Sequence, residues 1–316
     1  MTPLELAFIE QTIDANPKPF YYYRDQYALQ LIKYHVKDGM KINELKNSRY
    51  QNLLSKSVIR EVLKGCGGQV IRPEALHDPL TEDGKEFNYT LSKWGEFIPH
   101  RNDPWHQTTR PGLSLVLQLN FDPWHNYQYH RLIKADGEEH PFVFDCHPVS
   151  TKRQLTMAWA RLDIDLDRGE VLIEEIQNDW LREVATLYKD WNEWVKDKKK
   201  GKRGHWFFDH YRSTTFCEYV NFLKPYQKMW DEATLSMAIH FAKHELGIGD
   251  IYCHDFDSGN LLKGLEYGKP PRSLYTKLPK RFCFEQTDRA PEMIRREKYV
   301  TKPLRKNEVR WWKLSV

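Results

Sequence analysis

The sequence predicts an α+β fold in which a mostly antiparallel sheet is flanked by helices and preceded by an N-terminal helical extension. Apolar residues alternate along residues 113–120, 155–164 and 169–177, as they do in strands. Because consecutive strands of this kind are joined by turns, they predict an antiparallel meander. A helical stretch then precedes a strand at residues 250–256, which makes a crossover connection and therefore a mixed sheet.

Composition limits the classes of protein that the chain can represent. Its 316 residues are 40% hydrophobic, which is enough for a sizeable core, and its net charge of +4 does not by itself indicate nucleic-acid binding. The five cysteines include no CxxC pair, which argues against a disulfide framework and a zinc ribbon. Neither a signal peptide nor a run of 18 apolar residues is present, so we predict a cytoplasmic protein without a membrane partner.

Three parts are predicted: a helical extension with an irregular segment (1–110), the α/β domain (111–288) and a basic, aromatic tail (289–316). The extension begins with Thr2 as an N-cap and Pro3 at the first helical position. Amphipathic patterns predict further helices at residues 24–36 and 50–64. These patterns indicate packing against the domain, not chemistry.

Two long helices are predicted within the α/β domain. Asp179 has the side chain of an N-cap for a Trp-rich amphipathic helix, and a second helix covers residues 225–246. His240 and His244 share one side of the second helix, at a spacing that can hold a metal ion. Because the sequence offers no third ligand, we expect ordinary exposed or hydrogen-bonded histidines and no bound metal.

Basic residues cluster in two segments. Residues 196–204 read KDKKKGKRG, which is typical of a solvated loop, and residues 289–316 end in a basic stretch with Trp311 and Trp312. We expect the tail to pack back onto its own domain through this Trp pair. The alternative for the loop is contact with the phosphates of a nucleotide cofactor or of nucleic acid, and for the tail it is nucleic-acid binding.

Weaker patterns complete the chain. The tetrapeptide DPWH occurs at residues 103–106 and 122–125, and we interpret both copies as turns in preference to a ligand or metal pair. Additional short strands are predicted at residues 141–146 and 282–284.

The most informative stretch is GEVLIEEIQNDW, residues 169–180, where a strand leads into a helix. Strict alternation places on one face Val171, Ile173, Glu175 and Gln177, and on the other Leu172, Glu174 and Ile176. A carboxylate therefore lies in line with aliphatic side chains on either face, where its burial costs several kcal/mol unless the acid is paired. We predict that Glu175 projects into a cleft where two neighbouring strands separate.

The order of elements around this stretch resembles the N-acetyltransferase (GNAT) superfamily. In that family an antiparallel meander leads to a splayed fourth strand, a coenzyme-binding helix and a fifth strand. Asn260 is followed seven residues later by Tyr267, and Tyr275 lies in the string LYTKL, both similar to the family's closing motif. The resemblance spans residues 113–285. The chain departs from the family by lacking a glycine-rich loop directly after the fourth strand and a final Gly-Phe pair.

The resemblance implies an N-acyltransferase that uses acetyl-coenzyme A or another acyl-coenzyme A and an amine acceptor of unknown identity. Glu175 would be the base that takes a proton from the amine, and Tyr275, or else Tyr267, the acid that returns a proton to the thiolate. The implied coenzyme-binding residues are Gln177, Asn178, Lys200, Lys202, Arg203 and Asn260.

A narrower resemblance concerns VLIEEIQNDW, which is similar to the IEEIQSDW segment of large polyvalent proteins of phages and related mobile elements. In those proteins the segment also follows a strand and a turn and precedes a helix. The resemblance implies a phage or mobile-element origin, and hence the host cytoplasm as the location.

Two other classes of function fit the same residues. Asp165 or Asp167, followed by Glu175 and Gln177, approximates the D…ExK pattern of metal-dependent nucleases of the restriction-enzyme type. A non-catalytic phage factor would instead use its basic tail and aromatic surface on nucleic acid or on a host protein. An acyltransferase, a nuclease and a binding protein are thus the three classes that the sequence leaves open.

Overall fold

The computed structural model describes the 316-residue chain except for residues 14–15, 68, 78–82, 97–105, 134–139, 153, 199–204, 212, 267, 296 and 307–308. The strands are β1 (Lys18–Tyr22), β2 (Met40–Lys41), β3 (Val70–Ile71), β4 (Lys85–Trp94), β5 (Ser114–Asn120), β6 (Thr156–Asp165), β7 (Glu170–Gln177), β8 (Asp250–His254), β9 (Glu285–Thr287) and β10 (Trp311–Ser315). The helices are α1 (Pro3–Thr12), α2 (Gln26–Val36), α3 (Ile42–Lys46), α4 (Ser57–Gly65), α5 (Pro123–Leu132), α6 (Trp180–Lys198), α7 (Trp206–His210), α8 (Phe216–Phe222), α9 (Lys224–His240), α10 (Phe256–Leu262), α11 (Lys277–Arg281), α12 (Glu292–Arg295) and α13 (Lys298–Lys306).

Eight of these strands form one sheet in the order β1-β4-β5-β6-β7-β8-β10-β9, while β2 and β3 pair separately. Neighbouring strands of the large sheet are antiparallel, except that β7 and β8 are parallel. The crossover between these two contains α6 to α9, and α9 packs against β5, β6 and β7. The predicted α+β class, with a mostly antiparallel sheet flanked by helices, is confirmed.

The central strand β5 is buried on both faces, although its alternation predicts only half burial. Leu115, Leu117 and Leu119 enter the main core. The other face carries Gln118 and Asn120, which form hydrogen bonds to side chains of β4 and β6. The alternation therefore separates an apolar buried face from a hydrogen-bonded buried face.

Residues 1–110, which were predicted to be a helical extension with an irregular segment, contain helices α1 to α4 and also strands β1 to β4. At α1, Thr2 Oγ1 accepts the Glu5 backbone N–H and the Glu5 carboxylate accepts the Thr2 N–H, as in a capping box. The predicted helix at residues 50–64 is divided into a 3₁₀ turn (Gln51–Ser55) and α4. The sequence did not predict β1, which extends the large sheet beside β4.

The C-terminal segment folds onto the sheet. Strand β10 inserts between β8 and β9, with Trp311 facing a smaller apolar cluster and Trp312 facing the main core. Both rings are buried, so the expected packing of the Trp pair is confirmed. In the described part of the chain no helix has the length and apolar character needed to cross a bilayer.

Two short strands predicted from sequence are wrong. Residues 141–146 form turns, because Phe142 is buried among aromatic side chains such as Trp180 instead of alternating along a strand. Residues 282–284 do not form a strand, because the backbone of Cys283 is left-handed (φ 58°). Strand β9 begins after them, at Glu285.

Candidate functional site

A β-bulge interrupts the pairing of β6 with β7. Leu162 pairs with Ile173, whereas the preceding Arg161 pairs with Glu175. Glu174 is therefore an extra residue on β7, and an extra residue moves every later side chain to the opposite face. The bulge falls within the stretch that the sequence singles out.

The predicted faces of β7 are wrong beyond this point. Ile176 packs with Val171 and Ile173 in the main core, although strict alternation places it on the opposite face. Leu172 faces the smaller cluster on the other side of the sheet. The bulge was not predictable from β7 alone, because it is defined by the register with β6.

The parallel ladder between β7 and β8 ends at the same level. Its last pair is Ile173 with Cys253, and the rest of β7 forms no ladder pair with β8. A cavity of about 730 Å³ opens beside this end of β7. Its lining includes Gln107, His147, Glu175, Gln177, Asn178, Leu181, Arg182, Trp230, Lys269 and Leu274.

Glu174 lies behind the cavity in a buried polar cluster. Its carboxylate accepts the Thr109 backbone N–H and hydroxyl at 2.9 Å each, and it lies 3.1 Å from His254 Nε2 and 3.5 Å from Lys263 Nζ. Burial alone raises the pKa of this carboxyl, but Lys263 and the hydrogen bond from His254 outweigh it and hold the pKa well below its ordinary value. Glu174 is therefore ionised and fully partnered.

The same contacts define which ring nitrogen of His254 carries a proton. The Thr109 hydroxyl donates to Glu174, so His254 Nε2, 2.8 Å from that hydroxyl oxygen, must carry a proton to make a favourable contact with either group. Burial lowers the pKa of the His254 ring, which favours the neutral form. His254 Nδ1 is then a bare acceptor, and it is buried without a hydrogen-bond partner in the described chain.

Arg161 fixes the carboxylate that lines the cavity. Its guanidinium is buried and donates to Glu175 Oε2 (2.7 Å) and to the carbonyl oxygens of His106 (2.8 Å) and Gln107 (3.2 Å). The guanidinium carbon also lies 5.2 Å from the ring centre of Trp94. Glu175 is thus oriented and charge-balanced by a side chain that itself has little freedom.

The first turn of α6 carries a second buried acid. Asp179 accepts hydrogen bonds from His147 Nδ1 (2.6 Å), Arg182 (2.9 Å) and Gln177 (3.2 Å). Asn178 Oδ1 accepts the Arg182 backbone N–H at 3.2 Å. Asp179 therefore positions three polar side chains that line the cavity at the positive end of a long helix.

The other predicted site residues lie elsewhere or are not described. Tyr275 is buried next to the lining residue Leu274 but does not line the cavity; burial, and next the charge of Glu175, raise the pKa of its hydroxyl well above the ordinary value. Asn260 donates to the Phe256 carbonyl (2.8 Å) within α10 and also does not line the cavity.

Four further predicted residues fall outside the described residues: Tyr267, Lys200, Lys202 and Arg203. Their roles, like those of Glu175, Gln177 and Asn178, stay predictions.

The acids proposed for a nuclease are far apart. Asp165 pairs with Glu170 in the ladder and is bound by Arg168, and Asp167 lies in the following turn. Glu175 is five residues beyond Glu170, roughly 15 Å away at about 3.3 Å per residue. Among the residues that the structure describes, no group of three or more His, Cys, Asp or Glu side chains is arranged to hold a metal ion.

The second DPWH copy is the start of α5, and residues 103–105 of the first lie outside the described residues. Asp122 caps the helix by accepting the His125 N–H (2.7 Å), while Trp124 is exposed. His125 is buried, and its Nε2 lies 3.0 Å from the Tyr219 hydroxyl. The described copy thus serves helix capping and packing.

Sequence reasoning missed most partners of the two glutamates. Thr109, Arg161, His254 and Lys263 come from separate segments, so only the acids between aliphatic neighbours gave a signal. Comparison of the chain with family models, with curated proteins and with solved structures gives no match.

Proposed function

We propose that the protein is an acyltransferase that binds an acyl-coenzyme A in the cavity beside the unpaired end of β7. The observation that carries this proposal is the separation of two parallel strands at a bulge, with an acid in the resulting cavity. The strand order, with one parallel pair in an otherwise antiparallel sheet, supports the resemblance to N-acetyltransferases.

The cavity has features that suit the coenzyme. Beyond Ile173, β7 forms no further ladder pair with β8, and a strand edge without a neighbouring strand accepts an extended chain with amide groups, such as the pantetheine arm. Lys263 already binds the Glu174 carbonyl, so the edge that we propose for the ligand begins at Glu175. Arg182 and Lys269 line the cavity near the start of α6, where cations and helix N–H groups favour phosphates. The volume of about 730 Å³ is in the range of small-molecule sites.

Within this proposal, the bound thioester supplies the activated acyl group. Glu175, held by Arg161, accepts the proton that an attacking amine releases as its nitrogen bonds to the carbonyl carbon and the carbon–sulfur bond breaks. The departing thiolate can take back the proton that Glu175 has accepted. Tyr275, the donor that the resemblance implies, is buried outside the cavity lining, and its raised pKa makes it a weak acid. The ion pair with Arg161 holds the Glu175 carboxylate in its position at the cavity wall.

The test measures binding and transfer separately. Acetyl-coenzyme A at millimolar excess should raise the melting temperature of the wild type, because a ligand of the folded state stabilises it. Glu175→Gln should retain this shift but lose release of free thiol in the presence of an amine, whereas Arg182→Ala should lose much of the shift. Lys189→Ala, which removes an exposed cation of the same helix outside the cavity lining, is the matched control. No shift with the wild type would overturn the proposal.

A further inference from the structure

We propose that a second cavity, formed by β1, α2 and the end of α9, binds a nucleotide, either free or as part of a single-stranded nucleic acid. This cavity measures about 530 Å³. Its lining includes Phe20, Tyr21, Lys33, Tyr34, His240 and His244. No residue is shared with the lining of the cavity at Glu175, so the two proposals are independent.

Flat rings dominate the walls of this cavity. The Tyr34 and His244 ring centres are 5.4 Å apart, and those of His240 and His244 are 4.6 Å apart. From β1, the lining includes Phe20 and Tyr22, whose rings are stacked with centres 6.0 Å apart. Aromatic faces of this kind bind nucleobases by stacking, and they do so with little preference for sequence.

The two histidines present uncharged rings to a ligand. Burial is the largest effect on both, and it lowers the pKa of His240 and of His244. They lie at the junction of α9 with a π-helical turn (Phe241–Glu245), which places both on the cavity wall. π-Helical turns inside longer helices are frequent at functional sites.

Two lysines that can contact a phosphate lie on α2 and directly after it. Lys33 lines the cavity, and Lys37, one turn later, lines an adjoining cavity of about 450 Å³ that shares Tyr34. Neither lysine forms an ion pair with an acid in the described chain, and both are exposed. Lys243 Nζ lies 5.0 Å from the ring centre of Tyr34. We call the two cavities, which share Tyr34, the α2 groove. Lys33 and Lys37 supply its positive charge, and Asp250 and Val316 also line its second cavity.

The acid nearest in sequence to these histidines is Glu245, and its charge is already balanced by a cation, so it does not repel a phosphate. Glu245 is paired with Lys18 at 2.6 Å and accepts a hydrogen bond from the Tyr89 hydroxyl at 3.2 Å. The C-terminal Trp pair, by contrast, is buried in the sheet, so Trp311 and Trp312 are not available to stack on a base in the folded chain. The α2 groove is therefore the better match to nucleotide chemistry.

The experiment compares mononucleotides with a short single strand. Calorimetry with AMP, GMP, CMP and UMP tests for a free nucleotide, and anisotropy of a labelled oligothymidylate tests for a single strand; at least one of them should detect binding. Lys33→Ala should weaken binding about tenfold through loss of one charged contact, and should reduce the dependence of the logarithm of affinity on salt by about one unit. Binding of the oligonucleotide alone would identify a single strand as the source.

Two matched variants locate the site. Lys46→Ala removes an exposed lysine of α3 outside both cavities and should leave binding unchanged. Lys189→Ala removes an exposed lysine of α6 outside all three cavities and should also leave binding unchanged. Absence of binding by every probe, or equal affinities for the Lys33 and Lys46 variants, overturns the proposal.

Discussion

Lys263 contacts Glu174 twice at the bulge of β7: its Nζ donates to the Glu174 backbone carbonyl and lies 3.5 Å from the carboxylate. Both side chains are almost completely buried. A bulge leaves backbone groups outside the regular ladder, and here one of them is satisfied from the segment that follows α10. The distortion that opens the cavity is thus stabilised by charge from another part of the chain.

Removing one partner of this buried pair should destabilise the fold strongly. We expect Lys263→Met or Glu174→Gln to lower the free energy of unfolding by about 3 to 5 kcal/mol, because each leaves an uncompensated buried group. The double variant should lose less than the sum of the single losses. Urea unfolding of all four proteins measures this. Lys46→Met, at an exposed site, is the control, and strictly additive losses would contradict a direct coupling.

Acid should remove the contribution of Glu174. Its pKa is lower in the folded chain than the ordinary value of 4.5, so the ionised carboxylate stabilises the fold above that value and loses its contribution as the pH falls below it. The stability difference between wild type and Glu174→Gln should therefore shrink from pH 6 to pH 3.5. Chemical unfolding at several pH values measures it; a difference that stays constant would show that the pKa is not lowered.

His125 should make stability pH-dependent in a higher window. Burial lowers the pKa of its ring from 6.5 to about 3, so below pH 6.5 the unfolded chain takes up a proton that the folded chain does not. Its contribution should fall by up to about 1.4 kcal/mol per pH unit between pH 6 and pH 4. His125→Gln should show a correspondingly flatter profile in the same unfolding experiment. The exposed His77→Gln is the control, and an unchanged slope in His125→Gln would refute the assignment.

Two helical glycines should respond oppositely to alanine. A Cβ at Gly259 would lie 2.8 Å from the Cβ of His254, so Gly259→Ala forces the buried cluster to shift and should cost about 1 to 3 kcal/mol. At Gly65 nothing lies within 4 Å, so Gly65→Ala should be neutral or stabilising by up to about 1 kcal/mol. Thermal and urea unfolding of the two variants test the contrast; a stable Gly259→Ala protein would mean that His254 is not tightly held.

The sequence predicts elements whose pattern is local. Strands β5, β6 and β7 follow from alternation, and α1 follows from its capping residues. Strands β1, β4 and β10 were missed, because the first lies in an otherwise helical region, the second in the segment predicted to be irregular, and the third in a basic tail. All three become strands through pairing with distant residues, which a local pattern does not contain.

The candidate site was likewise predicted only where its signal is local in the sequence. The position of the two adjacent glutamates between aliphatic residues draws attention to them, and Glu175 lines a cavity. The bulge exchanges the faces of later residues, and it depends on the register with Arg161 in another strand. The roles of Lys263 and His254 likewise depend on long-range contacts, so neither the cluster nor the α2 groove was predictable from spacing.

The position of β10 between β8 and β9 has a consequence for synthesis of the protein. While residues 311–315 are still inside the ribosome, β8 has only β7 beside it, and its outer edge exposes backbone donors and acceptors that attract other chains. The half of the sheet next to the proposed coenzyme cavity therefore completes its pairing only after residues 311–315 have emerged. A nascent chain at that stage is expected to be a substrate for chaperones and a source of aggregates.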